Sequence, residues 1–245
     1  MKKSYIPNTI TAFSLLSGFL SIIFTSKGDF QLAAVMIFAA SIFDLIDGIV
    51  ARLLKTTSQF GVELDSLADV VSFGAAPAFL IYSFHFYQLD TLGIVISALP
   101  LIFGAMRLAR FNSQLVEIET KGDFKGLPIP LSAITIAMFV YYVHNNGEFI
   151  KPLFYISVPL ILLVSIAMVS NIKYSAFPKL NRTTLRGKPI YLFLTVVGLI
   201  LIFLTDGTAL FYIFLGIVLF GIFRHFIKRI IGSKEENFDL NKKQI

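Results

Sequence analysis

The sequence contains no cysteine and no tryptophan, and only 15% of its 245 residues are charged. Without cysteine there are no disulfides and no thiolate metal sites. Without tryptophan, any aromatic belt at a membrane surface must be built from Tyr and Phe, of which there are 9 and 26. The scarcity of charge excludes more. A soluble domain carries roughly 25% charged residues, whereas this chain is 56% hydrophobic with a mean hydropathy of +0.79. One globular core cannot hide that much apolar surface, so the bilayer is the expected solvent. A net charge of +6 does not point to nucleic acid as a partner, because in a membrane chain the position of the cations matters more than their sum.

A spanning helix needs about 20 mostly apolar residues. Eight windows meet that requirement, at 8–26, 30–52, 62–87, 90–110, 128–145, 150–171, 189–205 and 208–227, some only by tolerating internal polar groups. The N-terminal run has a Lys pair ahead of it, like a secretory leader, but no small-residue cleavage site follows, so it reads as a retained first helix. With both termini placed in the cytoplasm, all of the 21 Lys and Arg except Lys27 and Lys151 fall on the inner side. Adding or dropping one helix would scramble that split, so the positive-inside rule supports an all-α polytopic protein of eight spans. The segment 113–127 is too polar to span and is expected at the inner surface. The last residues, KEENFDLNKKQI, read as a solvated, disordered tail.

Against this background the stretch DLIDGIVARLLKTTSQFGVELDSLAD, 44–69, stands out for four aspartates within two spanning windows. At 1.5 Å per residue, Asp44 lies ~12 Å and Asp47 ~7.5 Å from the Arg52 end of the second helix. If the third helix starts near Gly61 and runs the other way, Asp65 lies ~6 Å and Asp69 ~12 Å from its start. Asp44 should therefore stand opposite Asp69, and Asp47 opposite Asp65. Helical phase agrees: Asp44, Asp47, Gly48 and Ala51 share one face, and Gly61, Asp65 and Asp69 share another. The small residues leave room for a bulky group, or else they permit close helix packing. Four facing carboxylates repel one another strongly. Some could be protonated, as in a proton relay, or Arg52 and Lys55 could pair with them. Two cations do not readily satisfy four acids, and a hard divalent ion with oxygen ligands fits better.

The pattern Asp44-x-x-Asp47-Gly48-x-x-Ala51-Arg52, followed by Gly61, Asp65 and Asp69, resembles the signature of the CDP-alcohol phosphatidyltransferases. So many identities at fixed spacing arise by chance with a probability below about 10⁻⁶, so the signal is far stronger than a short glycine-rich loop. The flanking runs IPNTIT, SLADVVSFGAAPA, MRLARFN and GLPIPLSA are similar to the integral-membrane, serine-using branch of that family. Members that use glycerol 3-phosphate commonly carry Lys after the last aspartate, and here Val70 follows Asp69. The resemblance covers about 1–227 as one membrane domain, leaving 228–245 as a cytoplasmic basic and polar tail.

The resemblance implies the reaction CDP-diacylglycerol + L-serine → phosphatidylserine + CMP. It implies Asp44, Asp47 and Asp65 as ligands of Mg²⁺ or Mn²⁺, with two ions expected, and Asp69 as the general base that also touches a metal. It places Asn8, Thr11, Gly48, Ala51, Arg52, Ser58 and Gly61 around CDP-diacylglycerol. A homodimer is expected, in a bacterial or archaeal cytoplasmic membrane with the active site facing the cytoplasm. Serine's carboxylate needs a cation and its ammonium an acceptor. Arg107 and Arg110, with Asn112 beyond them, are the candidates, although an Arg at that depth also satisfies the positive-inside rule. No histidine is placed to form a covalent intermediate, so direct in-line transfer is expected. The rivals are another acceptor (inositol phosphate, glycerol 3-phosphate or choline), a cation-coupled transporter, and a membrane scaffold. A transporter would want acidic or polar groups continuing toward the outer face, where Asp29, Asp90, Glu148 and Asp206 lie only in loops or at helix ends.

Overall fold

The structure, a computed structural model, describes residues 5–56, 58–117, 126–146, 151–172 and 204–242. Among these residues every regular element is helical: α1 (Tyr5–Ser26), α2 (Phe30–Leu54), α3 (Gln59–Asp69), α4 (Ala76–Phe84), α5 (Asp90–Glu117), α6 (Ile129–Asn146), α7 (Lys151–Val169) and α8 (Ala209–Lys242). A π-helical turn, Val70–Ala75, joins α3 to α4, and a 3₁₀ turn, Phe86–Leu89, precedes α5. Among the described residues, four helical stretches are long and apolar enough to cross a membrane: Tyr5–Ser26, Phe30–Leu54, Gln59–Phe84 and Phe86–Ser113. Three shorter apolar helices accompany them, at Ile129–His144, Tyr155–Val169 and Ala209–His225. The chain is a polytopic integral membrane protein, and seven of the eight expected windows are helices. The window 189–205 lies outside the described residues except at its last two positions, and so does most of the polar segment 113–127.

Capping explains why α2 and α3 run in opposite directions. The Asp29 carboxylate accepts from the Leu32 amide (3.0 Å) and starts α2. At its other end Lys55 adopts a left-handed conformation (φ 52°). The Thr56 amide donates back to the Ala51 carbonyl (3.1 Å) and the Lys55 amide to Arg52 (3.3 Å), the paired bonds of a Schellman stop. Ser58 then opens α3 by accepting from the Gly61 amide (3.1 Å). Two caps separated by so short a connection reverse the chain, and α3 then packs on α1. The helix begins at Gln59 rather than near Gly61.

α1 packs on α2 through small residues. Ala33, Ala34, Ile37 and Ala40 are fully buried, against an α1 face of Thr11, Ser14, Ser17, Ser21 and Thr25. Small side chains let the backbones approach where lipid supplies no hydrophobic drive between helices. The remaining core is larger: Phe73, Phe86, Phe139, Ile136, Ile161 and Met168 are all essentially buried. At the end of the bundle away from the α2–α3 connection, Phe30 meets Phe84 edge-on (5.2 Å), and the hydroxyls of Tyr142 and Tyr212 meet at 2.5 Å.

The C-terminus differs from expectation. The backbone of α8 continues helically to Lys242, so the expected boundary at 227/228 falls inside a helix. Extending an anchored helix costs no new nucleus, and the Lys- and Glu-rich continuation has good helix formers. The GLPIPLSA run docks on the end of α7. The Gly126 amide donates to the Ile172 carbonyl and the Leu127 amide to Ala167, both at 2.9 Å. Gly126 sits at φ +85°, and a Cβ there would lie 2.1 Å from the Met168 carbonyl oxygen. Gly126→Ala is therefore expected to cost about 2–3 kcal/mol. In a thermal melt in detergent, that corresponds to a fall of about 5–10 °C. An unchanged melting temperature would contradict the close contact.

Candidate active site

The four aspartates come together where the α2 and α3 caps place them. Asp44, Asp47 and Asp65 each offer a carboxylate oxygen, and these oxygens lie within 4.8 Å of one another. Asp69 is buried at 8% exposure, one turn further along α3, outside that close group. Its strongest interaction with a neighbouring charge is with Asp44, and that of Asp65 is with Asp47. The expected pairing by depth, Asp44 with Asp69 and Asp47 with Asp65, is not reproduced pair by pair: Asp44 joins Asp47 and Asp65 in the close group. Among the described residues, Arg107 on α5 is the cation that interacts with Asp69.

The donor set fits a hard divalent cation. Asp47 is 5% exposed, and its Oδ2 is buried with no hydrogen-bond partner among the described residues. An orphaned carboxylate oxygen beside two further carboxylates is costly unless a cation takes it up. All-oxygen donors suit Mg²⁺ or Mn²⁺ rather than a thiolate- or imidazole-seeking metal.

Beside the carboxylates is a cavity of about 200 Å³, lined by Pro7, Asn8, Thr11, Asp47, Gly48, Ala51, Arg52, Thr56, Ser58, Gly61, Val62 and Asp65. All seven residues that sequence reasoning assigns to the nucleotide-lipid substrate line this one cavity. The glycines divide by role. A Cβ on Gly61 would come within 3.2 Å of Asn8 Oδ1 and Ser58 Oγ, so Gly61 serves the close approach of α3 to α1. A Cβ on Gly48 would meet nothing nearer than the Arg52 guanidinium at 3.8 Å. Helix packing does not require glycine at 48, which faces open space on the cavity side. On α1, the Thr11 hydroxyl donates to the Pro7 carbonyl (3.1 Å) and also faces Asp47.

The three candidates for the acceptor pocket lie outside this cavity and have different partners. Arg107 faces Asp69, and its Nε is buried without a partner among the described residues. Asn112 donates to the Ser66 hydroxyl (2.9 Å), which holds it against α3. Arg110 turns away, its Nη1 3.5 Å from the Val169 carbonyl at the C-terminal end of α7, where a cation is favoured by the helix dipole. Sequence reasoning missed Pro7, Thr56 and Val62 in the cavity wall. Thr56, whose hydroxyl oxygen is buried without a partner, could have been suspected from its place in the polar connection beside Ser58. Pro7 and Val62 carry no such signal.

The chain belongs to the CDP-alcohol phosphatidyltransferase family, whose model matches residues 4–170. That family is divalent-metal dependent. The chain is 38% identical over 241 residues to a CDP-diacylglycerol–serine O-phosphatidyltransferase of Helicobacter pylori, covering 94% of this chain and 96% of that one. It is 35% identical over 194 residues to the enzyme of the same name from Methanocaldococcus jannaschii, covering 79% and 84%. Its fold is similar to that of Mycobacterium tuberculosis phosphatidylinositol phosphate synthase, crystallised with CDP-DAG bound. The TM-score is 0.51 at 19% identity, over 66% of this chain and 80% of that one.

Proposed function

We propose that the protein is a phosphatidylserine synthase, transferring the phosphatidyl group of CDP-diacylglycerol to the hydroxyl of L-serine with release of CMP. The observation that carries this reading is the carboxylate cluster opening onto a cavity lined by every expected nucleotide residue. Relatives of full length that carry this activity in their names support serine as the acceptor.

The chain's own residues have separable tasks. Asn8, Thr11, Arg52 and Ser58 contact the CDP moiety, while Gly48 and Ala51 leave room for it. Held by Asp44, Asp47, Asp65 and Asp69, two Mg²⁺ or Mn²⁺ ions would offset the diphosphate charge and stabilise the departing CMP. Asp69 takes the proton of the serine hydroxyl as its oxygen bonds to the phosphorus and the bond to CMP breaks. Arg107 binds the serine carboxylate and Asn112 the ammonium. Both lie outside the nucleotide cavity, on the α5 side of Asp69, which suits an acceptor approaching from the face opposite the leaving group. Arg110 is withdrawn from the pocket because its guanidinium is spent on α7. The 1–227 membrane domain acts as a homodimer in a bacterial or archaeal cytoplasmic membrane, its site facing the cytoplasm, with 228–245 as a basic tail.

The test is an acceptor panel. Purified protein with CDP-diacylglycerol and Mn²⁺ should release CMP with L-serine and not with inositol phosphate, glycerol 3-phosphate or choline. Release with another acceptor alone would overturn the serine assignment and leave the cation site standing. A second test addresses the cavity. Because Gly48 has space in front of it, Gly48→Leu should fold normally but fill the substrate's room, lowering kcat/KM for CDP-diacylglycerol about 10- to 30-fold, the equivalent of about 2 kcal/mol. Unchanged kinetics would mean that the substrate lies elsewhere.

A further inference from the structure

Two serines outside the cavity and outside the carboxylate cluster join the three helices that carry the site. The Ser72 hydroxyl donates to the Ser14 carbonyl (3.0 Å), and the Ser14 hydroxyl donates to the Ala40 carbonyl (3.0 Å). Ser72 is fully buried and Ser14 is 2% exposed. Each anchor stands next to an acid. Ala40 is one turn before Asp44, so its carbonyl is also the one that the Asp44 amide reaches in a regular helix. Ser72 is three residues past Asp69. Ser14 is three residues past Thr11, which faces Asp47.

The contact is built into the backbone as well. A Cβ on Gly18 would lie 2.5 Å from Ser72 Oγ and 2.6 Å from Ser72 Cα, so only glycine lets α1 come this close to the π turn. π-helical turns are rare and often mark functional sites. The extra residue in this one shifts helical phase by about 100°. That shift frees the α3 acids to face α2 while Ala76 and Leu80 on α4 keep to the core, both fully buried. The bonds are also selective. On the same face of α1, Thr11 and Ser17 bond within their own helix, and the buried Ser21 and Thr25 hydroxyls have no partner.

We propose that the Ser72–Ser14–Ala40 hydrogen-bond relay sets the spacing between the α2 acids and the α3 acids, making Ser14 and Ser72 positioning residues for the divalent-cation site. The inference rests on reading the four aspartates as that site. The ligands come from both helices, so any slip of α3 past α2 changes the ligand set directly. Small ions tolerate little of this: Mg²⁺ demands near-octahedral oxygens at about 2.0–2.1 Å. Groups that orient metal ligands are typically worth about 10- to 100-fold in affinity.

The experiment compares the full-length parent with Ser14→Ala, Ser72→Ala, the double variant and Ser21→Ala in detergent. Mn²⁺ binding is read by electron paramagnetic resonance, and kcat and KM are read separately. Ser14→Ala and Ser72→Ala should each weaken Mn²⁺ binding about 10-fold and lower kcat, with KM for CDP-diacylglycerol within about twofold. The double variant should be little worse than the poorer single, because both act through one relay. Ser21→Ala, equally buried on the same face, should match the parent. The proposal is overturned if Ser14→Ala binds Mn²⁺ as the parent does, or if Ser21→Ala behaves like Ser14→Ala, which would mean generic packing. A parent that binds no Mn²⁺ sinks the cation-site reading and the relay together, an outcome distinct from a parent that binds and variants that bind equally.

Discussion

Asp44→Asn is expected to reduce serine-dependent CMP release by at least about 10³-fold without loss of folding or membrane insertion. The amide keeps the shape of the carboxylate and removes its charge from a cluster in which three acids already sit within 4.8 Å. A divalent ion is worth several kcal/mol of transition-state stabilisation, and each 1.36 kcal/mol is about tenfold in rate. Stability gives an independent readout. In EDTA the facing carboxylates only repel, so removing one should leave the melting temperature unchanged or raise it. With Mn²⁺ the parent should gain stability, by about 2.7 kcal/mol at 100 times the dissociation constant, and the variant should gain far less. A scaffold predicts no catalytic effect at all. Full activity in Asp44→Asn would therefore remove Asp44 from the cation site, whereas a parent that releases no CMP would remove the enzyme reading.

How far the sequence reaches depends on whether a feature is periodic or tertiary. The meeting of α2 and α3 acids was legible because it needs only the 1.5 Å rise and two antiparallel helices, with the α2–α3 caps marking the turn, although Asp44 groups with Asp47 and Asp65 rather than with Asp69. Even so, the cap at Lys55 breaks the usual preference, since left-handed caps favour Gly or Asn. The neighbouring Ser58 cap and the apolar runs marked the turn without it. The π turn was not legible. VVSFGA is apolar on nearly every side, so an inserted residue leaves no mark on its pattern, and what stabilises it is the contact of Ser72 with Gly18 and Ser14 from a helix 58 residues away in sequence. Arg110 was ambiguous for a different reason. Charge at the end of a span fixes depth and not direction, and only the position of α7 shows that this guanidinium meets the Val169 carbonyl. The helical continuation past 227 was not legible, because its composition resembles a disordered tail while its backbone continues a helix already formed.

Arg107→Met is expected to raise KM for L-serine about 100-fold while changing KM for CDP-diacylglycerol by less than about threefold. Methionine keeps much of the buried stem and removes the guanidinium, whose Nε has no partner in the structure. A hydrogen bond to a charged group is worth about 1.5–3 kcal/mol, which spans about 10- to 150-fold in binding. Two roles must be separated, since Arg107 also faces Asp69. If it binds the serine carboxylate, the loss should fall on KM for serine, and an acceptor lacking the carboxylate, such as ethanolamine, should be used no worse by the variant than by the parent. If it serves only to balance Asp69, kcat should fall for every acceptor and KM for serine should stay near its parental value. Arg110→Met is the matched comparison: its guanidinium reaches α7 rather than the pocket, so it should lower the melting temperature and spare KM for serine. The reverse pattern, with Arg110→Met raising KM and Arg107→Met leaving it alone, would place the amino-acid pocket on the other side of α5.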